Sequence, residues 1–416
     1  MRSIILRVLS LKSRNSLQRP SFITRRAVAG LLLPALCFAV VLANHNAAQQ
    51  TGTPEQPDLA VDAATRTEVI EGALKNLQEG YVFPEVAKAM EQNIRERVAK
   101  REYDQITGAK LLAQTLTKDL QAISRDKHLR VNYRAAAMGE GESLPGSSVR
   151  IVRRPEGGGG ASPANGAPVR RINRSPGEAS GNLGLEKVET LEGNLGYLDF
   201  SMFDASDEAN EKVSAAMNKL ADTDALIIDL RRCRGGARNT ITLLMSYFFD
   251  KSIHLSDAYD RLTGSTNESW SLSEVPGRRY GAKDVYILTS NFTFSAAEDI
   301  SYTLKNLKRA TLVGKTTGGG AHPVMGRRIN EHFFVMVPFA RYISPITKTN
   351  WEGTGVTPDV EVPAEHALKV AQLAALKKLS AQKKPPQDAT TAAQLKSLIE
   401  TLQKEVDELK RRNSKG

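Results

Sequence analysis

The sequence predicts an α/β protein whose core is preceded by a helical segment and followed by a helix. Three observations carry this. Between residues 195 and 313, short apolar runs (LGYLDF, ALIIDL, VYIL) alternate with stretches of helical spacing, the pattern of strands joined by helices. Residues 63–123 hold three segments with one apolar stripe each, the mark of helices that pack together. The apolar runs end in glycine-rich turns, Gly235-Gly236 and Gly318 to Gly320, where α/β folds place function.

In chain order, residues 1–48 carry seven of the basic residues and no acidic one. The net charge of +11 therefore falls to +4 for the rest, and nucleic-acid binding is not expected. An uncharged run, residues 27–43, follows Arg25-Arg26. Basic, apolar, then polar is the order of a secretory signal, with cleavage after Ala43 or near Ala47-Ala48, and it predicts an exported protein, periplasmic or extracellular. The other reading is an uncleaved anchor, because the run is near the lower limit for spanning a bilayer; only then is a membrane a partner. The twin arginine allows a twin-arginine route, and Leu36 before Cys37 is too large for a lipoprotein site. Without the leader Cys233 is the sole cysteine, so no internal disulfide is expected.

Residues 55–134 form the expected helical domain, with helices at 63–77, 84–100 and 108–123. Pro84 suits a first helical position, and Thr107 is a candidate cap for the third helix. SRDKHLRVNY then leads into a short strand at 129–133. Residues 135–182, rich in Gly, Pro, Ser, Ala and Arg, read as a linker or flap. The core spans 183–378: strands at 195–200, 225–230, 285–288, 310–313 and 333–339, and helices at 207–220, 240–249 and 296–307. In residues 388–416, Leu395, Ile399, Leu402, Val406 and Leu409 form a heptad seam of about two repeats, which either joins a second copy into a homo-oligomer or packs on the body of the chain.

For chemistry, GxGxxG, GxxxxGK[ST] and HExxH are all missing and no cysteines are closely spaced, so no nucleotide, metal or other cofactor is expected. Ser295 falls where a strand hands over to a helix, beside unpaired N–H groups that favour a nucleophile and its oxyanion. With Glu298 it also makes a capping box. A serine nucleophile needs a base. Among six histidines, His128 after the third helix and His322 after the glycine cluster remain as candidates, and the residues do not choose between them. Lys315 serves only if burial lowers its pKa. Gly235 and Gly236 offer backbone N–H groups or a plain turn.

Read together, YVFPEVAKAM, DKHLRV, GYLDF, IIDLRRCRGG, LTSNFTFSAAE, LVGKTTGGGAHP and NWEGTGVTPDVEV stand in the order seen in the C-terminal-processing (tail-specific) serine peptidases. The chain resembles the branch that includes the tricorn core and interphotoreceptor retinoid-binding protein. That resemblance implies a crotonase-like (ClpP-like) α/β core and hydrolysis of peptide bonds in protein or peptide substrates. It implies Ser295 as nucleophile, His128 as base, Glu352 in support, and N–H groups of Gly235 or Gly236 and of Ala296 as oxyanion hole. The catalytic lysine of the serine-lysine branch aligns with Gly320. The chain departs from the family pattern in having the linker where many members carry a PDZ module, Lys127 where the tricorn protease has serine, and Cys233 for the usual asparagine. Two alternatives stand beside the peptidase: a non-catalytic ligand- or peptide-binding protein on the same fold, and a periplasmic scaffold acting through its terminal helix.

Overall fold

A computed structural model describes residues 56–144, 181–382 and 389–413. The expected leader, 1–48, and most of the expected linker, 135–182, lie outside the described residues. The chain from Gln56 onward clusters as one compact unit.

Among the described residues three helices come first. α1 (Ala63–Gly80) begins at Asp62, whose Oδ1 accepts the Thr65 N–H at 2.7 Å. α2 (Pro84–Ala99) has its proline in the first turn, as the sequence suggests. α3 (Ala109–Ser124) is not capped by Thr107: Gly108 is the N-cap and the Lys110 N–H donates instead to Asp58 Oδ1 at 2.8 Å, an acceptor brought from 52 residues away. β1 (Arg130–Tyr133) follows and pairs antiparallel with β10 (Phe333–Pro338), which also pairs with β9 (Val324–Arg328). Phe333, Val335 and Val337 of β10 are buried among Leu74, Leu77, Met90, Leu112 and Leu116 of the helices. The helical segment therefore shares its hydrophobic core with a strand that belongs to the far end of the sequence.

The main sheet has six strands in the order β12-β8-β7-β4-β3-β2. They are β2 (Leu185–Leu191), β3 (Leu195–Phe200), β4 (Ala225–Asp229), β7 (Asp284–Thr289), β8 (Thr311–Gly314) and β12 (Val360–Glu361), all parallel except β2 against β3. α4 (Asp207–Lys219), α5 (Arg238–Ser246) and α6 (Ala296–Asn306) lie between them in sequence. The side-chain period of two divides the central strands cleanly. Leu226, Ile228, Val285 and Ile287 pack with Val213, Leu244 and Ile300 of those helices. Ala225, Ile227, Tyr286 and Leu288 face the opposite layer, α7 (Ala367–Gln382) and α8 (Ala389–Asn413). There Leu402 and Val406 of the heptad seam are buried against α7 residues such as Leu376 and Leu379, so part of that seam is spent inside the chain. A third sheet, β11-β5-β6, consists of β5 (His254–Asp260), β6 (Ser265–Trp270) and β11 (Ala340–Ile343). Parallel β4, β7 and β8 all end on one side, and the loops leaving them carry Gly235, Ser295 and the glycine cluster.

Candidate active site

Ser295 stands at the β7-to-α6 elbow with φ 56° and ψ −122°, a conformation that L-residues rarely adopt. Neighbours pin it there. The Phe294 N–H donates to the Cys233 carbonyl at 3.1 Å, Thr293 Oγ1 donates to the Leu230 carbonyl at 2.8 Å, and Ser290 Oγ donates to the Arg231 carbonyl at 2.6 Å. The loop after β4 thus lies directly under the elbow. Gly235 (φ 96°) comes so close that a Cβ there would meet Ser295 Cβ and the Ala296 nitrogen, each at 2.8 Å. Its N–H is drawn toward the Cys233 sulfur, whose thiol burial pushes up to about 12 and so keeps protonated. Among the described residues no acceptor takes the N–H of Gly236 or of Ala296, leaving two donors beside the serine.

Glu298 does more than cap. Within the capping box its Oε2 accepts the Ser295 N–H at 2.9 Å, and also the Gly320 N–H at 2.8 Å. Its Oε1 accepts from Thr317 Oγ1 at 2.5 Å and from the Gly319 N–H at 2.6 Å. Burial pushes its pKa up, while these four bonds favour the carboxylate. One fully buried carboxylate therefore clamps the glycine cluster to the serine elbow. The spacing S-x-x-E signals the cap; nothing in the sequence signals the clamp.

His128 sits in the turn between α3 and β1. Its ring lies on Phe294, the residue before the serine, with centroids 4.6 Å apart. Burial pushes its pKa down to about 4. Nδ1 is buried and has no partner among the described residues, and no hydrogen bond joins the ring to Ser295 or to Glu352. Glu352, in the loop before β12, accepts the Ala321 N–H at 2.5 Å and the His322 N–H at 3.2 Å, both at Oε2; Oε1 is buried without a partner. Burial first, then the charge of Asp126, raises its pKa to about 7. His322, the histidine the sequence leaves level with His128, is buried with Nδ1 2.7 Å from Asp126 Oδ2 and 3.5 Å from Glu352 Oε2. Ser295, His128 and Glu352 thus each border the loop 318–322, Ser295 through the Glu298 carboxylate, His128 through Phe294 and Gly320, and Glu352 through Ala321 and His322.

A lysine base falls away on geometry, both at Lys315 and at position 320. Lys315 is half exposed and its Nζ lies 3.2 Å from Glu361, at the edge of the sheet. Gly320 has no room for a side chain, because a Cβ would lie 2.2 Å from Phe294 Cζ and 2.7 Å from His128 Cε1. Asp126, His322 and Glu352 are close enough to share a cation, their ligand atoms lying within 4.8 Å, as are the more exposed His254, Asp257 and Glu268. In the first trio Nδ1 of His322 is engaged with Asp126, so the arrangement is that of a hydrogen-bonded network.

A mostly parallel α/β sheet with a strained serine at a strand-to-helix elbow and a histidine packed on the residue before it is an arrangement open to a serine-type hydrolase. The chain belongs to peptidase family S41: the family pattern matches residues 194–362, and the N-terminal domain of S41 peptidases in eukaryotic interphotoreceptor retinoid-binding protein matches residues 60–155. It is a hydrolase of protein or peptide substrates. Among solved structures, one described as a candidate peptidase from Parabacteroides merdae has 16% identity, covers 77% of this chain and 99% of its own, and superposes with a TM-score of 0.53. A photosystem II D1 C-terminal processing protease has 17% identity, coverage of 73% and 94%, and a TM-score of 0.43. The tricorn protease has 15% identity, coverage of 80% and 37%, and a TM-score of 0.44.

Proposed function

We propose that Ser295 attacks the scissile carbonyl while His128 takes its proton and returns it to the leaving amine. Water then releases the acyl group by the same route. The oxyanion is held by the N–H of Ala296 and that of Gly236, or of Gly235 once it turns from the Cys233 sulfur. Glu352 supports His128 from the far side of the loop 318–322. The observation that carries this is the backbone of Ser295. Among the described residues six other non-glycine residues have φ between 54° and 59°, but Ser295 pairs φ 56° with ψ −122°, outside the left-handed helical well, which costs on the order of 1–3 kcal/mol, a strain that folds retain where it aims a reacting atom.

The test is labelling by a fluorophosphonate probe, comparing the native chain with Ser295→Ala and His128→Ala. Both substitutions should abolish labelling and proteolysis of casein. Labelling that persists in Ser295→Ala overturns the nucleophile, and a folded native chain with neither labelling nor proteolysis turns the reading to ligand binding without turnover.

The basic, apolar, polar order of residues 1–48 supports export to the periplasm or the extracellular side. Among the described residues no helix is long and apolar enough to cross a membrane. A homo-oligomer formed through α8 would use surface that α7 leaves uncovered.

A further inference from the structure

No step above uses His322, yet its side chain is only 4% exposed and lies where three distant segments meet. Asp126, with no exposed side-chain surface, comes from the turn after α3; His322 is on the glycine loop; Glu352 comes from the loop before β12. Nδ1–H of His322 donates to Asp126 Oδ2 at 2.7 Å, and the other oxygen of that carboxylate accepts the backbone N–H of His128 at 3.0 Å. Tyr81 places its hydroxyl 3.5 Å from Asp126 Oδ2, and the His322 ring meets Phe83 edge-on with centroids 5.6 Å apart. A buried carboxylate must have its oxygens bonded to remain in place. The bonds to Asp126 from His128 and Tyr81 arise within the helical segment itself. The bond from His322 ties it to the core, which carries Ser295 and Glu352.

We propose that His322 is a positioning residue for peptide hydrolysis: by donating Nδ1–H to Asp126 it fixes the turn that carries His128 against the loop that carries Glu352, and so aims His128 at Ser295. This rests on the assignment of Ser295 and His128 made above. The need for such a tie follows from the topology. Base and nucleophile are 167 positions apart in the sequence; besides the three-stranded sheet, the turn that carries His128 meets the core through the Lys127 Nζ–H donated to the Gly318 carbonyl, the packing of the His128 ring on Phe294, and the buried His322–Asp126 bond. An error of about 1 Å between reacting groups can cost about 10²-fold in rate.

The experiment measures the maximal rate of Ser295 phosphonylation and the probe concentration giving half of it, together with casein hydrolysis, on the full chain. His322→Ala should slow the maximal rate about 10²-fold with the half-saturating concentration little changed. His322→Asn, whose Nδ2–H₂ can replace the Nδ1–H donor, should recover to within about 5-fold of native. If His322→Ala does not fold, as judged by its melting transition, His322→Phe keeps the ring volume without the donor and takes its place in the comparison. A native rate in His322→Ala or His322→Phe overturns the proposal. So does a folded His322→Asn as slow as the alanine variant, since the donor alone would then not suffice. Loss of activity in EDTA restored by zinc also overturns it, by making the trio a cation site. A native rate in His128→Ala is a different failure: it removes the base assignment itself, whatever His322 does.

Discussion

At the scale of single residues, the two groups flanking the glycine loop are pushed in opposite directions by the same burial. His128, lowered to about 4, is neutral and able to take a proton throughout the neutral range. Glu352, raised to about 7, changes charge within it. kcat/KM should therefore rise in two steps, near pH 4 as His128 loses its proton and near pH 7 as Glu352 ionises. Glu352→Gln should keep the lower step and lose the upper; an upper step that survives the substitution assigns it to another group. The same shift sets a stability trend. The folded chain favours protonated Glu352, so this contribution is fully present below about pH 4.5, the ordinary value, and is lost as pH rises through about 7. Native melting temperature should fall relative to Glu352→Gln over that interval. Parallel pH dependences for the two proteins would contradict a raised carboxyl.

At the scale of elements, the loop 318–322 links the chemistry to the packing. The resemblance sets Gly320 at the place of the lysine in the serine-lysine branch, and a side chain at that position would not fit here. The volume that a Cβ at 320 would occupy is filled by the rings of Phe294 and His128. The glycine's backbone is not in the left-handed region, so the conflict is one of space alone. Gly320→Ala should displace the His128 ring and lower kcat at least about 10²-fold, with a stability loss of about 1–3 kcal/mol from overpacking. An alanine variant with native kcat would mean that His128 is free to move without consequence. What the sequence shows of these elements follows what each buries. The central parallel strands β3, β4, β7 and β8, largely buried, and α6, with its single stripe, are read to within a residue or two, whereas β12, two exposed residues paired with β8, is not. β6 and β9 are missed because STNESW and VMGRR bury no residue fully and hold their place by cross-strand pairing, and β5 because HLSDAYD buries Ser256 and Asp260 beside Leu255 and Ala258 and so shows no apolar run. β2 lies at a sheet edge and mixes charged with apolar residues. α7 packs between the sheet and α8 and so has no single apolar stripe to read. Ser295 and its cap are local and legible. The clamp by Glu298 and the bond from His322 to Asp126, 196 residues apart, are products of the fold and leave no local mark.

At the scale of the molecule, two helical layers cover the sheet unequally. The site lies at the ends of β4, β7 and β8, and the layer formed by α4, α5 and α6 contributes Ser295 at the start of α6. The opposite layer, α7 and α8, contributes none of the site residues. α8 is its outer member: Leu402 and Val406 are buried, Leu395, Leu398 and Ile399 are partly covered, and Lys377 Nζ donates to Gln403 Oε1 at 2.6 Å. Burying two aliphatic side chains fully and three in part stabilises the chain by about 3–6 kcal/mol. That gain is internal to one chain, which separates this arrangement from a coiled coil between copies. Ending the chain after Gln382 should therefore lower the melting temperature markedly and expose Leu376 and Leu379, yet leave the molecular mass per particle at that of the shortened monomer or raise it through aggregation. The rate of Ser295 phosphonylation, measured below the new melting temperature, should stay within about 3-fold of native, because the elbow and the loop 318–322 are held from the other side of the sheet. A full-length dimer that becomes a stable monomer on truncation would instead place the seam between copies, and a large loss of labelling in a folded truncated chain would show that α8 reaches the site through the sheet.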